Sequence, residues 1–384
     1  MKMESYDVAI VGGGPAGSAA AVSLARKGYS VVVLDKAFFP REKLCGDFLS
    51  PINWPLFEQL GVADDLLSIE HEEVTAFRIS TFAGDEARVH FPVQAGRRLF
   101  GLGLSRFYLD DILRRRAEKE GVVVQQGCRV GAVAREAEGW SITLEARSTE
   151  KNIQSTFLIG ADGRNSSVAH RLGLAQTSDG PGRYLAFQLN LTRRRSFQGE
   201  VQIHGFPGGY AGLVGLGGGA VNLCFTVERR RAKEELSVAA LLETFLCRND
   251  YLKKFLAESE IVGRVRSAYP VYFSPRRCCG DGFLLVGDAA RVTEPVTGEG
   301  IYFALKSRIL AGETIDRAFR RRNGTVERFA DYARLCRKSF GYRQRINRLI
   351  RALIYRPSLL APLVRLSSQS SFPLRPLVGR LCRN

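Results

Sequence analysis

Tyr6-Asp7-Val8-Ala9-Ile10-Val11, then Gly12-Gly13-Gly14-Pro15-Ala16-Gly17, then an Ala-rich run to about Lys27, then Tyr29-Ser30-Val31-Val32-Val33-Leu34-Asp35 follow one another near the start of the chain. Two short apolar runs flanking a small-residue helix read as a β-α-β unit. Gly12, Gly14 and Gly17 fall in the Gly-x-Gly-x-x-Gly frame, with an acid about 20 residues further on. Gly12 permits the tight turn, Gly14 lets a pyrophosphate approach the backbone, and Gly17 lets the helix lie close to the sheet. Pro15 and Ala16 open the helix, whose free N–H groups and partial positive charge suit phosphate. Asp35 would accept from ribose hydroxyls, and Lys36 beside it joins the cofactor contacts. The unit predicts an ADP-containing cofactor and leaves FAD and NAD open. The competing reading is a glycine-rich turn of another α/β protein.

Two further glycine–aspartate sites narrow the choice. Ile159-Gly160-Ala161-Asp162-Gly163-Arg164-Asn165-Ser166-Ser167-Val168 follows a strand-like Thr156 to Ile159. Phe283-Leu284-Leu285-Val286-Gly287-Asp288-Ala289-Ala290 comes later, then Pro295-Val296-Thr297-Gly298-Glu299-Gly300-Ile301. In this order the three sites resemble the FAD-dependent oxidoreductases built like p-hydroxybenzoate hydroxylase, over roughly residues 5 to 320. The resemblance implies FAD. It puts Gly287 and Asp288 at the ribityl or pyrophosphate part, and Asp162 and Gly163 near the phosphates. Pro295, Gly298, Gly300 and Ile301 would lie beside the isoalloxazine ring, where a helix N-terminus stabilises the charge of reduced flavin. Arg106, before a helix over Phe107 to Lys119, matches a cofactor-contacting Arg; its alternative is an exposed cation at a helix start.

Within that family the chain looks most like the geranylgeranyl reductase group. Pro40-Arg41-Glu42-Lys43-Leu44-Cys45-Gly46-Asp47 is similar to that group's Pro-x-x-Lys-x-Cys-Gly loop, which implies Cys45 and Gly46 beside the flavin. Asn165 to Ala169 and Thr297 to Tyr302 point the same way. One stretch departs. Where the group has Tyr-x-Trp-x-Phe-Pro along its lipid cavity, this chain has Tyr210-Ala211-Gly212-Leu213-Val214-Gly215, which implies a wider or differently shaped pocket. The Trp-x-Trp-x-Ile-Pro motif of flavin halogenases is absent, since Trp54 and Trp140 are the only tryptophans.

The 384 residues carry 56 Lys plus Arg against 39 Asp plus Glu, a formal charge of +17 that favours anionic partners. The 45% apolar content is that of a globular protein. Eight scattered Cys without a Cys-x-x-Cys pair and only four His argue against a metal site or a disulfide framework, and for reduced thiols. No run is long enough to span a membrane and none reads as a signal peptide, which predicts a cytoplasmic protein. The expected architecture is α/β. A Rossmann-type FAD-binding domain (1–75, 100–175 and 275–320) is interleaved with an antiparallel-sheet substrate domain (76–99 and 176–274). Within the latter, Tyr184 to Leu191 and Val221 to Val227 read as strands, and Ser237 to Phe255 as one amphipathic helix. Residues 321–384 form a basic, helical C-terminal region. From Phe340 onward it holds nine Arg and no acid, interleaved with Leu349-Ile350, Leu353-Ile354, Leu359-Leu360 and Leu363-Val364. One reading is a helical tail packed on the cofactor domain. The sharper one is an element docking on anionic lipid at the inner face of a membrane. No nucleic-acid module is visible.

The expected chemistry is reduction of a C=C bond in a hydrophobic isoprenoid or polyketide-like substrate, with NAD(P)H or another donor reducing FAD. Cys45, Asp47, Tyr210 and Tyr302 are the candidate proton donors. Cys45 has an alternative role as a small buried hydrophobe, and His204 reads as structural. The alternatives are a flavin monooxygenase hydroxylating a phenolic or polyketide-like compound and a non-catalytic flavin redox sensor.

Overall fold

The strand Glu4–Val11 lies at the centre of a largely parallel sheet. Lys151–Gly160 and Val31–Asp35 pair with it on either side, both parallel, and Phe283–Leu285 and Val123–Gln126 extend the sheet outward. Val8 to Val11 are buried, as expected for a strand covered on both faces. Helix Pro15–Ala25 covers one face and packs against the long helix Gly300–Arg320. The computed structural model describes residues 4–92, 99–145, 151–174, 184–193, 197, 199–232, 237–269, 271, 275–292, 295–321, 326–369 and 374–382.

The register of this sheet creates the site. Val11 stands opposite Gly160, and Gly160 opposite Leu285. The chain leaves three adjacent parallel strands at one edge, so Gly12, Asp162 and Asp288 meet there although they are far apart in sequence. Carboxyl ends of parallel strands are where α/β sheets bind ligands.

A second sheet of seven strands among the described residues runs Glu260–Ala268, Tyr184–Thr192, Ala220–Glu228, Gly209–Gly217, Glu200–Phe206, Ala76–Ser80, Glu86–His90. All its neighbours are antiparallel except Glu200–Phe206 with Ala76–Ser80. Three short strands, Phe48–Leu49, Gly101–Gly103 and Glu72–Val74, form a small third sheet. The expected strands at Tyr184 and Val221 are present. Part of the 76–99 segment, residues 93–98, lies outside the described residues.

Two expectations need correcting. The single helix over Ser237 to Phe255 is broken into Val238–Leu241, a π-turn Leu242–Leu246, and Asp250–Ala257. Asn249 causes the restart: its side chain accepts the Leu252 N–H at 3.0 Å and caps a new helix. The C-terminal region is helical, as Val326–Ile354, Pro357–Gln369 and Arg375–Cys382, but it is not packed on the cofactor domain alone. Ile354, Leu360, Val364, Leu374 and Val378 share one buried cluster with Phe77, Val89, Val201, Ile203, Tyr210 and Val214 of the second sheet. The opposite face of that sheet packs on the broken helix through Leu213, Phe225, Leu241, Phe245 and Leu252.

Candidate active site

The glycine turn is sterically closed to other residues. Gly12 has φ +106°, and a Cβ there would lie 2.5 Å from the Ala161 carbonyl oxygen. A Cβ on Gly17 would lie 1.8 Å from the Gly12 carbonyl oxygen. Gly14 precedes the helix without any side-chain cap, so the first N–H groups are left for a ligand. Asp35 ends its strand where expected, but part of its carboxylate is already engaged. Oδ2 accepts the Gly13 N–H at 2.7 Å and Oδ1 the Ala37 N–H at 2.9 Å. It therefore braces the turn; Lys36 beside it is exposed. Gly287 packs on Ala16, where a Cβ would come within 2.8 Å of the Ala16 Cβ.

Asp162 caps the short helix Ser167–Arg171: Oδ2 accepts from Ser167 N at 2.6 Å, Ser167 Oγ at 2.8 Å and Val168 N at 3.1 Å. Its Oδ1 is buried without a partner. Gly163 follows at φ +81°. Burial raises the pKa of Asp288, while Arg164, Lys43, Arg106 and Arg276 pull it back down. Lys43, whose side chain still reaches solvent, is in turn lowered by desolvation from the groups packed around it and by Arg41 and Arg106. Several cations thus converge on one carboxylate, and Arg164 Nη1 is buried with no partner. Excess positive charge, an orphaned guanidinium N–H and a glycine cradle fit the pyrophosphate and ribityl hydroxyls of FAD. Sequence reasoning did not single out Arg41, Lys43, Arg164 or Arg276. The first three stood inside quoted motifs, and only the fold shows that they share a site.

The Cys45-Gly46-Asp47 loop meets the second sheet. Asp47 is a buried non-glycine residue at φ 52°, a backbone state that Asp tolerates better than most. Its Oδ1 accepts the Arg106 backbone N–H at 3.1 Å. Its Oδ2 accepts from Asn222 Nδ2 and, at 3.4 Å, from Gln188 Nε2. Gln188 Oε1 accepts the Cys45 N–H at 3.1 Å, and the Cys45 carbonyl accepts from Asn222 Nδ2 and the Cys224 thiol, both at 3.0 Å. Burial pushes the Asp47 carboxyl up to about 7, against Asn222 and Arg106. Burial and Asp47 push the Cys45 thiol up to about 11. Of the two, Asp47 is the group able to give and regain a proton near neutrality. Gln188, Asn222 and Cys224 were missed. The only signal for them was polar residues at alternate positions of otherwise apolar strands.

Arg106 is largely enclosed, its side chain 11% exposed, rather than an exposed helix-start cation. It forks onto Asp110, Nε to Oδ1 at 2.6 Å and Nη2 to Oδ2 at 2.8 Å. Burial opposes its charge, and Asp110 more than restores it. Arg41 also pairs with Asp110, at 3.2 Å. The other two candidate acids stand apart. Tyr210 lies in the apolar cluster of the second sheet, edge-on to Tyr355 at 5.7 Å. Tyr302 lies in the cofactor-side core with Phe303 and Phe340. His204 is held between Ser80 Oγ at 2.6 Å and Gln202 Oε1 at 3.0 Å, and burial lowers its pKa to about 3.

Pro295–Thr297 forms a short turn before helix Gly300–Arg320. Gly298 has φ +65°, and a Cβ there would lie 2.7 Å from Phe48 Cδ1. Gly300 faces open space, Ile301 is buried, and no side chain caps the helix start. Uncapped N–H groups at the head of a 21-residue helix suit a developing negative charge. All eight cysteines are free thiols, and no cluster of potential metal ligands occurs among the described residues.

Comparisons with known proteins agree with this geometry. The FAD binding domain family matches residues 5–320. A menaquinone reductase of Mycobacterium tuberculosis is 33% identical over 82% of this chain and 77% of its own. A digeranylgeranylglycerophospholipid reductase of Methanococcoides burtonii is 27% identical over 88% and 81%. The structure of a geranylgeranyl bacteriochlorophyll reductase-like protein from Thermoplasma acidophilum superposes with a TM-score of 0.82 at 22% identity, over 96% and 93% of the two chains. Flavin-dependent halogenases share the same fold. With an FAD-binding match across most of its length and a reductase relative at one-third identity, the chain belongs to the FAD-binding-domain oxidoreductases, and its cofactor is FAD.

Proposed function

We propose that the chain reduces a C=C bond in an isoprenoid-type lipid, with residues 1–75, 100–175 and 275–320 holding FAD and 76–99 with 176–274 holding substrate. The observation that carries this reading is the position of Asp47. It joins the polar end of the second sheet, at Gln188, Asn222 and Cys224, on the face whose other part is apolar through Val201, Ile203, Tyr210 and Val214. Hydride addition to an isolated double bond needs an apolar wall to exclude water and one buried acid to complete the product. FAD, once reduced by NAD(P)H or another donor, supplies the hydride. Asp47, protonated below about pH 7, supplies the proton to the neighbouring carbon, and Arg106 N–H, Asn222 and Gln188 then hold the resulting carboxylate. The relatives' names supply the substrate class, an isoprenoid quinone or prenyl lipid.

Such a substrate resides in a bilayer, and the C-terminal region offers a matching surface. Tyr342, Leu349, Leu359 and Leu366 are exposed, interleaved with exposed Lys338, Arg345, Arg348 and Arg356. Each cation at an anionic surface contributes about 1 kcal/mol. No helix among the described residues is long and apolar enough to cross a membrane, so the contact proposed is peripheral.

The decisive experiment reduces the flavin anaerobically and adds a menaquinone or a geranylgeranyl lipid. Reoxidation without oxygen, with the saturated product recovered, supports the reading. Reoxidation only when oxygen is admitted, together with a hydroxylated product, replaces it with a monooxygenase. Flotation with vesicles containing phosphatidylglycerol tests the surface. Because the C-terminal helices bury Ile354 and Val364, the comparison uses Arg345→Glu with Arg348→Glu rather than a truncation. Equal flotation of both forms rejects the membrane contact.

A further inference from the structure

The C-terminal region also reaches the head of helix Gly300–Arg320. Arg343 and Asn347, one turn apart on Val326–Ile354, are directed at the loop before that helix. Arg343 Nη1 donates to Glu299 Oε1, with side chains 11% and 1% exposed. Its guanidinium also lies 4.9 Å over the Tyr302 ring. Burial raises the Glu299 pKa, and Arg343, Asn347 and Thr297 work against it. Asn347 and Thr297 stand beside the carboxyl but outside hydrogen-bond geometry. Glu299 Oε2, Thr297 Oγ1 and both amide atoms of Asn347 are buried without such a partner.

A buried ion pair with incomplete hydrogen bonding is a poor source of stability. Its position suggests a different use. Glu299 immediately precedes the N–H groups that open the helix, and Arg343 lies beyond the residues 5–320 matched to the family. We propose that Glu299 and Arg343 are positioning residues that set how readily the bound flavin ring takes on negative charge. Glu299 anchors the Pro295–Gly300 loop, and Arg343 cancels its charge so that the helix N-terminus keeps its positive field. The inference rests on the ring lying beside Gly298 and Gly300, as the reading above requires.

The test is the midpoint potential of the bound flavin in the full-length holoprotein, measured by equilibration with reference dyes. Glu299→Gln removes the negative charge beside Arg343. It favours reduced over oxidised flavin about tenfold, a rise of about 30 mV for a two-electron couple. Asn347→Asp adds an anion to the same cluster without breaking the pair, and lowers the potential. Arg343→Lys keeps the charge and leaves the potential close to that of the parent. Opposite shifts from two nearly isosteric changes are a signature that a purely structural role does not give. Gly300→Asp is the control for ring placement, because a Cβ at Gly300 meets nothing within 4 Å. If it lowers the potential while Glu299→Gln and Asn347→Asp are silent or shift the same way, the pair has no electrostatic role and the proposal is overturned. If Gly300→Asp is silent too, the ring placement is wrong and the proposal falls with it.

Discussion

Exchanging Asp47 for Asn separates the proton chemistry proposed for it from its place in the fold. Asn suits φ 52° as well as Asp does. It presents one acceptor and one donor, whereas the carboxylate presents two acceptors. With the amide oxygen on the Arg106 N–H, the NH2 faces Asn222 and Gln188. Neither can turn over freely. Asn222 is fixed by the Cys45 carbonyl at 3.0 Å and the Cys224 thiol at 3.3 Å, and Gln188 by the Cys45 N–H at 3.1 Å. The loss is about one buried hydrogen bond, about 1–3 kcal/mol. Against it stands the cost of the buried charge. The carboxyl rises from 3.8 to about 7 on burial. At about 1.4 kcal/mol per pH unit, the ionised form costs about 4 kcal/mol once the pH exceeds the folded value.

The folded pKa lies above the unfolded one, so the native state binds the proton more tightly. Stability from this group is greatest at low pH, declines as pH rises from about 4 to about 7, and is level above that. Between about pH 5.5 and pH 8 the parent protein therefore loses about 2 kcal/mol relative to Asp47→Asn, a difference the amide cannot share. Urea unfolding of both holoproteins at the two pH values measures it. A gap that stays constant within about 0.5 kcal/mol would show that Asp47 is not perturbed by burial, and would remove the ground for treating it as the acid. Turnover should fall about 10²- to 10⁴-fold at either pH, the usual contribution of a positioned general acid.

Other outcomes follow from neighbouring features. Gly12→Ala should purify colourless, because its Cβ would lie 2.5 Å from the Ala161 carbonyl at φ +106°; normal flavin content by absorbance would contradict the cradle. Gly212→Phe should raise KM for a prenyl substrate and leave the flavin spectrum alone, since a Cβ at Gly212 meets nothing nearer than 3.9 Å. Unchanged KM would place the substrate elsewhere. His204→Ala should cost about 2–4 kcal/mol by taking the imidazole away from Ser80 Oγ and Gln202 Oε1 in the interior, with turnover of the folded protein retained. Because burial lowers the His204 pKa to about 3, its contribution is present above the unfolded value of 6.5 and fades as pH falls toward 3. An acid-unfolding profile identical in parent and variant would refute that assignment.

Much of the cofactor half was legible because local sequence carries its constraints. A strand buried on both faces must be an apolar run, and a turn that brings a helix against Gly12 tolerates only glycine at position 17. Asp162 and Asp288 were legible as motifs for the same reason. The cations around Asp288 were not, because Lys43, Arg106, Arg164 and Arg276 come from four separate segments and have no mutual spacing. The break at Asn249 was missed because hydrophobic periodicity continues on both sides of it, while the capping hydrogen bond that interrupts the helix leaves no mark on that period.

Local sequence was enough for the β-α-β unit, the two glycine–aspartate turns and the basic C-terminal region, acid-free from Phe340, since each depends on neighbours a few residues apart. Tertiary structure alone decided that parallel register joins Val11, Gly160 and Leu285 into one edge, and that Asp47 loses its water against Gln188 and Asn222. It also decided that the C-terminal helices split their faces. One side closes on the second sheet and sends Arg343 to Glu299, and the other is left to solvent. Burial is a property of what the rest of the chain brings to a residue. The same Asp that titrates near 4 in an unfolded chain becomes an acid of about 7 only when the sheet arrives.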